Sequence, residues 1–518
     1  MSKDKKVKEK PTDSKKEFLQ DLTSFMQVKG FVWGPSPEIY GGSAGFYTYA
    51  PLGKLLKNRV EEIIRKTLHT QEFFEVECPI VMERKVWEAS GHLSGFTDAM
   101  ITCSKCNATF RLDHLLEEKY PESKNFKKPE QYLTFIKEKD IKCPNCQSDF
   151  KPEIKKHDLM MKTKIGIDQE AYNRPETATT TYLPFLRFTD FFRKKPIFGV
   201  FQIGKAFRNE LSPRQHIVRM REFTQAEAQL FIKKELKNEF PKYKTIENDV
   251  LPLWDYKKQE KNQKPENNKI KDALVKGFFK SQAYAWTITI AYKLFINMGI
   301  PADKIRLRQH FPDEKAFYAD DAWDVEIKTK SFGWIEVCGV HDRTDYDLKQ
   351  HSKHSKIELE AFDEATGKKY VPHVLEIAFG TDRPVFALLD CFYDKKEKEQ
   401  GKTTFKIPYH LSPIPLAIFP LLKKPELIDK ACEIYNKLSK GFLCVYDESG
   451  AIGRRYLRAA ETGTAFCITI DFDTLEKKPE TITIRDRDTE KQVRVKTSEL
   501  KETLRALIGG EKKFSELK

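Results

Sequence analysis

Residues able to handle a charged ligand concentrate between Phe201 and Ile232, FQIGKAFRNELSPRQHIVRMREFTQAEAQLFI. Two strand-like runs flank a Ser212-Pro213 turn signal, which reads as an antiparallel pair joined by a loop. With a period of two, Arg208 and Glu210 share one face of the first run. Arg219, Arg221, Phe223, Gln225 and Glu227 share one face of the second. Guanidinium forks, carboxylates and an aromatic ring on one surface suit a ligand with phosphates, a flat base and an amine. The plainer reading of the same face is the solvated side of an edge hairpin.

Three more constellations carry chemistry. Cys103 and Cys106 in CSKC and Cys143 and Cys146 in CPNC form two thiolate knuckles. Four soft thiolates fit tetrahedral zinc in a closed, structural shell. In the run WIEVCGVHDRTDYDL, period two puts Trp334, Glu336 and Cys338 on one face and Ile335 and Val337 on the other. A glutamate among large residues of a central strand needs a cation to be buried. Glu336 is therefore a candidate magnesium or substrate ligand, and Arg343 a candidate anion or carboxylate ligand. Finally, VPHVLEIAFGTDRPVFALLDCFY reads as a strand ending at Gly380 that turns into a helix, with Thr381 or Asp382 near the cap and Pro384 close to the first helical position. Arg383 then lies at a helix N-terminus, an unfavourable place for a cation unless it helps to hold an anion.

The elements that must position these residues follow from periodicity. Lys16 to Val28 reads as a short amphipathic helix, followed by a Gly/Pro/aromatic-rich turn region, FVWGPSPEIYGGSAGFYTYAPLG. Pro51 to Thr70 carries a helical stripe through Leu52, Leu55, Leu56, Val60, Ile63, Ile64 and Leu68, and leads into a strand-like EFFEVECPIVM. Pro79 suits an edge or interface strand, a weak pointer to a dimer. Glu176 precedes a helix expected to run from Thr177 through Tyr182 to Phe192, where it could equally be a first-turn carboxylate. Residues 233–280, poor in apolar and rich in Lys, Glu and Asn residues, read as a mobile or lightly packed insertion. From about Lys406 the chain alternates strand and helix and closes with a hairpin and a last helix, a small mixed sheet.

Composition limits the function classes. The chain has 518 residues, 40% of them hydrophobic, enough for two or three domains with proper cores. A formal net charge of +14 points to a polyanionic partner, nucleic acid first. No apolar run approaches the roughly 20 residues that span a bilayer. The charged start MSKDKKVKEKPTDSKKE lacks an apolar h-region, so a basic tail over residues 1–15 and a cytoplasmic location are expected. Paired CxxC cysteines fit a reducing cytosol.

The motifs also carry a family resemblance. FRNELSPRQHIVRMREF resembles motif 2 of the class II aminoacyl-tRNA synthetases, EFFEVECPIV motif 1 and FGTDRPVFALL motif 3. GGSAGFYTYAPLG, SGHLSGFTD, RLDHLLEE, NRPETAT, REFTQAE, WIEVCGVHDRTDYDL and LSPIPLAIFPL are similar to the glycyl-tRNA synthetases of the homodimeric type, in that family's order.

The resemblance implies an α+β fold: an antiparallel-sheet catalytic core over residues 16–405, with a zinc-binding insertion at 103–150 and the Lys-rich insertion at 233–280. A C-terminal α/β anticodon-binding domain would span 406–518, where Arg454, Arg455, Arg458, Arg485 and Arg487 could track RNA. It implies ATP with Mg2+ and structural Zn2+ as cofactors, and glycine, ATP, tRNA(Gly) and a second copy of the chain as partners, with no membrane. Arg208 would hold the α-phosphate and Glu210 the adenine edge or metal. Phe223 would stack on adenine, and Arg383 and Arg219 would meet the outer phosphates, with Glu336 assisting through magnesium or the nucleotide. Glu176, Glu227 and Glu376 would surround the glycine ammonium, with Arg343 and Ala378 also in the amino-acid site.

Two departures concern that amino-acid site. The family's Glu-Pro-Ser reads Glu376-Ile377-Ala378 here, without the expected hydroxyl, and Pro-Glu-Thr-Ala-Gln continues as Thr179. Glycine selection by steric exclusion survives the loss of one hydrogen bond. Alternatives within reach of the sequence are another class II synthetase, such as a threonyl or prolyl enzyme, and a non-catalytic tRNA-binding protein on the same fold.

Overall fold

The computed structural model describes residues 13–116, 119–120, 123, 126, 129–211, 213, 215–316 and 318–517. Residues 1–12 of the expected tail and Ser212 of the turn signal lie outside them. Helix α1 occupies Asp13–Val28, starting ahead of Lys16. Helix α2 fills Pro51–Thr70, with proline in its first turn, and buries Leu56, Val60, Ile64 and Leu68 at every fourth position.

Nine strands form the main sheet. In chain order they are β1 (Phe73–Glu75), β2 (Ile197–Phe207), β3 (Glu222–Ile232), β4 (Val250–Trp254), β5 (Glu266–Lys269), β6 (Ile305–Gln309), β7 (Asp321–Thr329), β8 (Gly333–Thr344) and β9 (His373–Gly380). In space they run β5-β4-β6-β7-β8-β9-β3-β2-β1. Pairs are antiparallel except β1 with β2 and β4 with β6. Helices α2, α3 (Gln282–Asn297) and α4 (Asp382–Phe392) pack with one face of this sheet, where Ala226, Ala228, Leu230, Leu375, Ile377 and Phe379 join a large apolar core. Alternation then directs Gln225, Glu227, Glu376 and Ala378 to the other face.

That second face changes along the strands. At one end Phe198, Val200 and Phe231 are covered by Tyr182, Phe185 and Phe188; at the other it is polar and partly open. The covering residues lie on two short helices, Ala178–Tyr182 and Phe185–Phe191, instead of the single helix expected from Thr177 to Phe192. Pro184 accounts for the break, because its ring cannot continue a helix interior.

Residues 233–280 correct a second expectation. They supply edge strand β5 and its neighbour β4, and Phe240, Ile246, Leu251, Leu253, Ile270, Ala273 and Phe279 are buried in the main core. The Lys237 ammonium is itself buried against the Asp342 carboxylate. The lysines sit mostly on the outside of a packed segment.

Three strands at Thr97–Cys103, Thr109–Arg111 and Phe150–Asp158 form a separate small sheet that ends at the cysteine knuckles. The C-terminal region forms a five-stranded mixed sheet with Leu416–Pro420 between Cys444–Tyr446 and Phe466–Ile470, both parallel to it. The hairpin of Thr481–Asp486 and Gln492–Lys496 completes it. Helices Pro425–Leu438, Ile452–Glu461 and Leu500–Gly509 match the expected alternation. Among the described residues no helix is long and apolar enough to cross a membrane.

Since Leu253 on β4 is 1% exposed, Leu253→Ala should cost about 2–5 kcal/mol in denaturant unfolding of the region built on the nine-stranded sheet. A lightly packed insertion would lose less than about 0.5 kcal/mol.

Candidate active site

The hairpin of β2 and β3 brings two kinds of residue to one face. Arg208 and Glu210 lie just beyond the end of β2, and Arg219 and Arg221 just before β3, so the charged tip is loop and not strand. A backbone bond from Arg208 N–H to the Arg221 carbonyl (2.9 Å) still ties the two sides together. The Arg208 guanidinium lies 5.4 Å from the ring centres of both Phe223 and Phe96 and donates from Nε to the Pro175 carbonyl (3.1 Å). Two rings and a carbonyl fix its plane without neutralising it. Arg221, by contrast, is used in the scaffold, donating to the carbonyls of Glu210 (2.7 Å) and Ala44 (3.0 Å). Among the described residues no ion pair holds Arg208, Arg219 or Glu210.

Arg383, on the first turn of α4, donates to the Glu336 carbonyl (2.8 Å) and to its carboxylate (3.2 Å), and from Nε to the Val218 carbonyl (3.4 Å), next to Arg219. Glu336 is 54% exposed, so it is not the buried strand glutamate expected. An extra residue of β8, Val337, sits opposite the Val325–Glu326 step of β7; this bulge shifts the alternation so that Cys338 joins Val337 in the core while Glu336 faces out.

Farther along the same face three carboxylates converge. Glu227 pairs with Ala378 across the β3–β9 ladder, and Ala378 pairs with Gly339 of β8. Glu227 accepts from the Thr177 hydroxyl and from Gln225 Nε2, both at 2.6 Å. Glu376 accepts from Arg343 (3.3 Å to each oxygen), contacts His341 (3.2 Å) and accepts from the Tyr182 hydroxyl (3.3 Å). Glu176 accepts from the Thr179 hydroxyl (2.8 Å) and lies 3.6 Å from His92.

These environments separate the three acids. Burial opposes charge on Glu176, but His92, Arg343 and the Thr179 hydroxyl outweigh it and hold its carboxyl well below the usual range. Burial likewise opposes charge on Glu376, and Arg343 and His341 bring it down. Glu227 has no cation of its own, so burial and repulsion from Glu376 and Glu176 push its carboxyl up to about 8. These neighbours favour ionised Glu176 and Glu376 beside a protonated Glu227 at neutral pH.

Several participants lie inside the family-like stretches SGHLSGFTD and NRPETAT but carry no residue-level signal of their own. His92 and Phe96 arrive from the segment that leads into the small sheet. The returning strand Phe150–Asp158, joined to that segment by Leu159 N–H to the Phe96 carbonyl (3.2 Å), is pinned to the hairpin by Asn209 N–H to the Leu159 carbonyl (2.9 Å) and by His157 Nε2 to the Asn209 carbonyl (2.7 Å). Arg174, 2% exposed, donates to the carbonyls of Lys205 (2.7 Å) and Cys78 (2.9 Å) and to Gln202 Oε1 (2.9 Å), while Gln202 donates to the Thr177 carbonyl (2.8 Å). This lattice sets the Pro175-Glu176-Thr177 segment on the sheet. It requires glycine at 204, where a Cβ would lie 2.1 Å from Arg174 Nη2. Arg343, expected as a ligand group, is itself buried and occupied by Asp347 (2.8 and 2.9 Å) and Glu376. It acts on the site through Glu376.

At the cysteine knuckles the ligand atoms of Cys103, Cys106, Cys143 and Cys146 lie within 4.8 Å of one another, with Sγ separations of 3.4 Å (Cys103–Cys146) and 3.7 Å (Cys106–Cys143). Tetrahedral thiolates about 2.3 Å from one ion would be about 3.8 Å apart, so the donor set fits zinc.

Comparison with known proteins decides the family. A glycine–tRNA ligase of Thermococcus gammatolerans is 39% identical, covering 97% of this chain and 100% of its own. The chain belongs to the glycine–tRNA ligase family. Its counterpart in Methanocaldococcus jannaschii is 36% identical over 95% of this chain and 99% of its own. Residues 416–507 match the family model described as anticodon binding domain. Giardia lamblia prolyl-tRNA synthetase, solved in complex with prolyl-adenylate, shares the fold with a TM-score of 0.58 at 12% identity, covering 94% of this chain and 75% of that one. The expected class II fold, with its antiparallel core and C-terminal mixed sheet, is therefore present.

Within that family frame the arginines of the C-terminal region divide. Arg455 and Arg487, both expected among RNA-tracking residues, are buried and donate to the carbonyls of Pro420 and Leu421 and of Gly463 and Ile407. Arg485 is paired with Glu490 and Arg458 with Asp447, while Arg454 is exposed.

Because Arg343 balances two buried acids, Arg343→Met should destabilise the fold by about 3–5 kcal/mol, read as a lowered denaturant midpoint. A change below about 1 kcal/mol would mean that Glu376 and Asp347 are neutralised by other means.

Proposed function

We propose that this chain joins glycine to ATP at the hairpin face, giving glycyl-adenylate and pyrophosphate, and then transfers glycine to the 3′ end of tRNA(Gly). The observation that carries the reading is the division of one sheet face into a cationic, aromatic half and a half with three coupled carboxylates. An amino acid presents an ammonium to be gripped, and its carboxylate must meet a phosphate to be activated.

In this reading the glycine ammonium sits among Glu176, Glu227 and Glu376, which leaves its carboxylate directed toward the α-phosphorus. Arg208, held flat by Phe96 and Phe223, meets the α-phosphate and stabilises the charge that grows as the carboxylate oxygen bonds to phosphorus and pyrophosphate departs. Phe223 offers its face to adenine and Glu210 its carboxylate to the adenine edge or metal. Arg383 and Arg219 meet the outer phosphates. Magnesium would neutralise the phosphates, with Glu336 the nearby exposed carboxylate. In the second step a terminal ribose hydroxyl of tRNA attacks the glycyl carbonyl and AMP leaves. Gly339, Ala378 and the packed Thr177 and Tyr182 leave little volume near the ammonium, which suits glycine by exclusion.

The proposal includes Zn2+ held by Cys103, Cys106, Cys143 and Cys146, where it would brace the small sheet whose other end carries Phe96 and Leu159. It includes tRNA contacts by the C-terminal region through exposed Arg454 and Arg458. It also includes a homodimer, supported by the apolar surface near edge strand β1, where Phe74 is 48% and Phe191 65% exposed.

ATP–pyrophosphate exchange tests the reading. Glycine should support exchange at least about 100-fold better than alanine or serine, and Arg208→Ala should lower it about 10²–10³-fold. Equal exchange with alanine or serine would contradict glycine as the substrate.

A further inference from the structure

A buried ion pair behind the hairpin lies outside the set of ligand-facing residues. Lys57, on α2 and 3% exposed, donates from Nζ to Asp382 Oδ1 (2.5 Å) and to the Thr224 hydroxyl (2.8 Å), and sits 4.5 Å from the centre of the Tyr49 ring. Asp382, 2% exposed, also accepts from the Tyr49 hydroxyl (2.6 Å) and from the Thr224 backbone N–H (2.8 Å). An aspartate at the start of α4 would ordinarily serve the helix by accepting from its first-turn N–H groups. This one turns away from its helix, toward Lys57 and β3.

The neighbours of the pair give it a consequence. Asp382 immediately precedes Arg383, and Thr224 immediately follows Phe223. The two segments are clasped twice, by Thr381 N–H to the Thr224 carbonyl (2.8 Å) and by Thr224 N–H to the Asp382 carboxylate. Alternation along β3 puts Thr224 on the covered face and Phe223 on the ligand face. One cation on α2 therefore neutralises the carboxylate that joins the backbone of the candidate phosphate clamp to that of the candidate adenine platform. A buried carboxylate stays ionised and in place only when it is paired and fully hydrogen-bonded.

We infer that Lys57 and Asp382 are positioning residues for nucleotide binding: from behind the sheet they set Arg383 relative to Phe223 without touching ATP. The inference rests on the reading of Arg383 as an ATP ligand. It separates the two ligands, because the clasp lies behind the cationic half of the face and not behind Glu176, Glu227 and Glu376.

Steady-state pyrophosphate exchange on the full chain, varying ATP and glycine in turn, tests it. Lys57→Met should raise KM for ATP about tenfold or more, as expected for a displaced binding group, and leave KM for glycine within about twofold. Arg383→Ala should raise KM for ATP on its own, and adding Lys57→Met to it should change that value by less than about twofold, since the route is already cut. If Lys57→Met does not fold, Lys57→Met with Asp382→Asn, which removes both buried charges together, carries the same expectations. Equal rises in KM for ATP and for glycine would overturn the inference and mark a general structural role. So would effects of Lys57→Met and Arg383→Ala that multiply, or an unchanged KM for ATP beside an impaired Arg383→Ala. An Arg383→Ala variant with unaltered KM for ATP would instead remove the reading of Arg383, and the inference with it.

Discussion

Three carboxylates buried within reach of one another are an electrostatic burden that the fold must offset, and much of the site can be understood from how it does so. Glu376 is stabilised by Arg343, which is anchored on Asp347. Glu176 is stabilised from the opposite side by His92 and Thr179. Glu227 receives only hydroxyl and amide donors and stays protonated up to about pH 8. In the proposed reaction the glycine ammonium would supply the missing positive charge, so that ligand preference and the protonation of Glu227 would have one origin, a group of acids short of cations.

The cationic half obeys the opposite rule. Arg208 is fixed by rings and a carbonyl, and Arg383 by two carbonyls and the half-exposed Glu336, so their charge remains available to an anion. What makes the two halves meet is the central run of β8, β9, β3 and β2. Gly339, Ala378, Glu227 and Gln202 stand in one cross-strand row there, between the arginines and the remaining acids. The small sheet with the cysteine cluster belongs to the same construction, since its inner ends carry Phe96 and Leu159 to the hairpin.

Much of this was legible in the residues, and the exceptions have physical reasons. Helices α2 and α4 and the alternating C-terminal region follow directly from apolar stripes and early prolines, whereas the expected cap at Thr381 or Asp382 is not made, because Asp382 serves Lys57 and Thr224 instead. The segment 233–280 was misjudged because lysine content reports the outer surface, while spaced residues such as Phe240 and Leu253 report the core. Arg455, Arg487 and Arg343 are of the types that bind RNA or carboxylates, but residue type does not say whether a guanidinium meets a ligand or the protein's own carbonyls and acids. The bulge at Val337 of β8 separated Glu336 from the face that Cys338 shares with the core. His92 and Phe96 lie in the family-like SGHLSGFTD, but no local pattern says that this distant segment meets Glu176 and Arg208. The carboxylate set was named through resemblance; its division into ionised and protonated members required the three-dimensional neighbours.

The most direct test counts protons. With glycine titrated into the enzyme at about pH 7 in buffers of differing ionisation enthalpy, the account predicts release of close to one proton per glycine bound, as Glu227 ionises against the ammonium. Above the Glu227 transition near pH 8 the release should fall, and Glu227→Gln should abolish it at pH 7. Binding at pH 7 with no proton released by the unaltered protein would contradict the claim that Glu227 is protonated beside ionised Glu176 and Glu376.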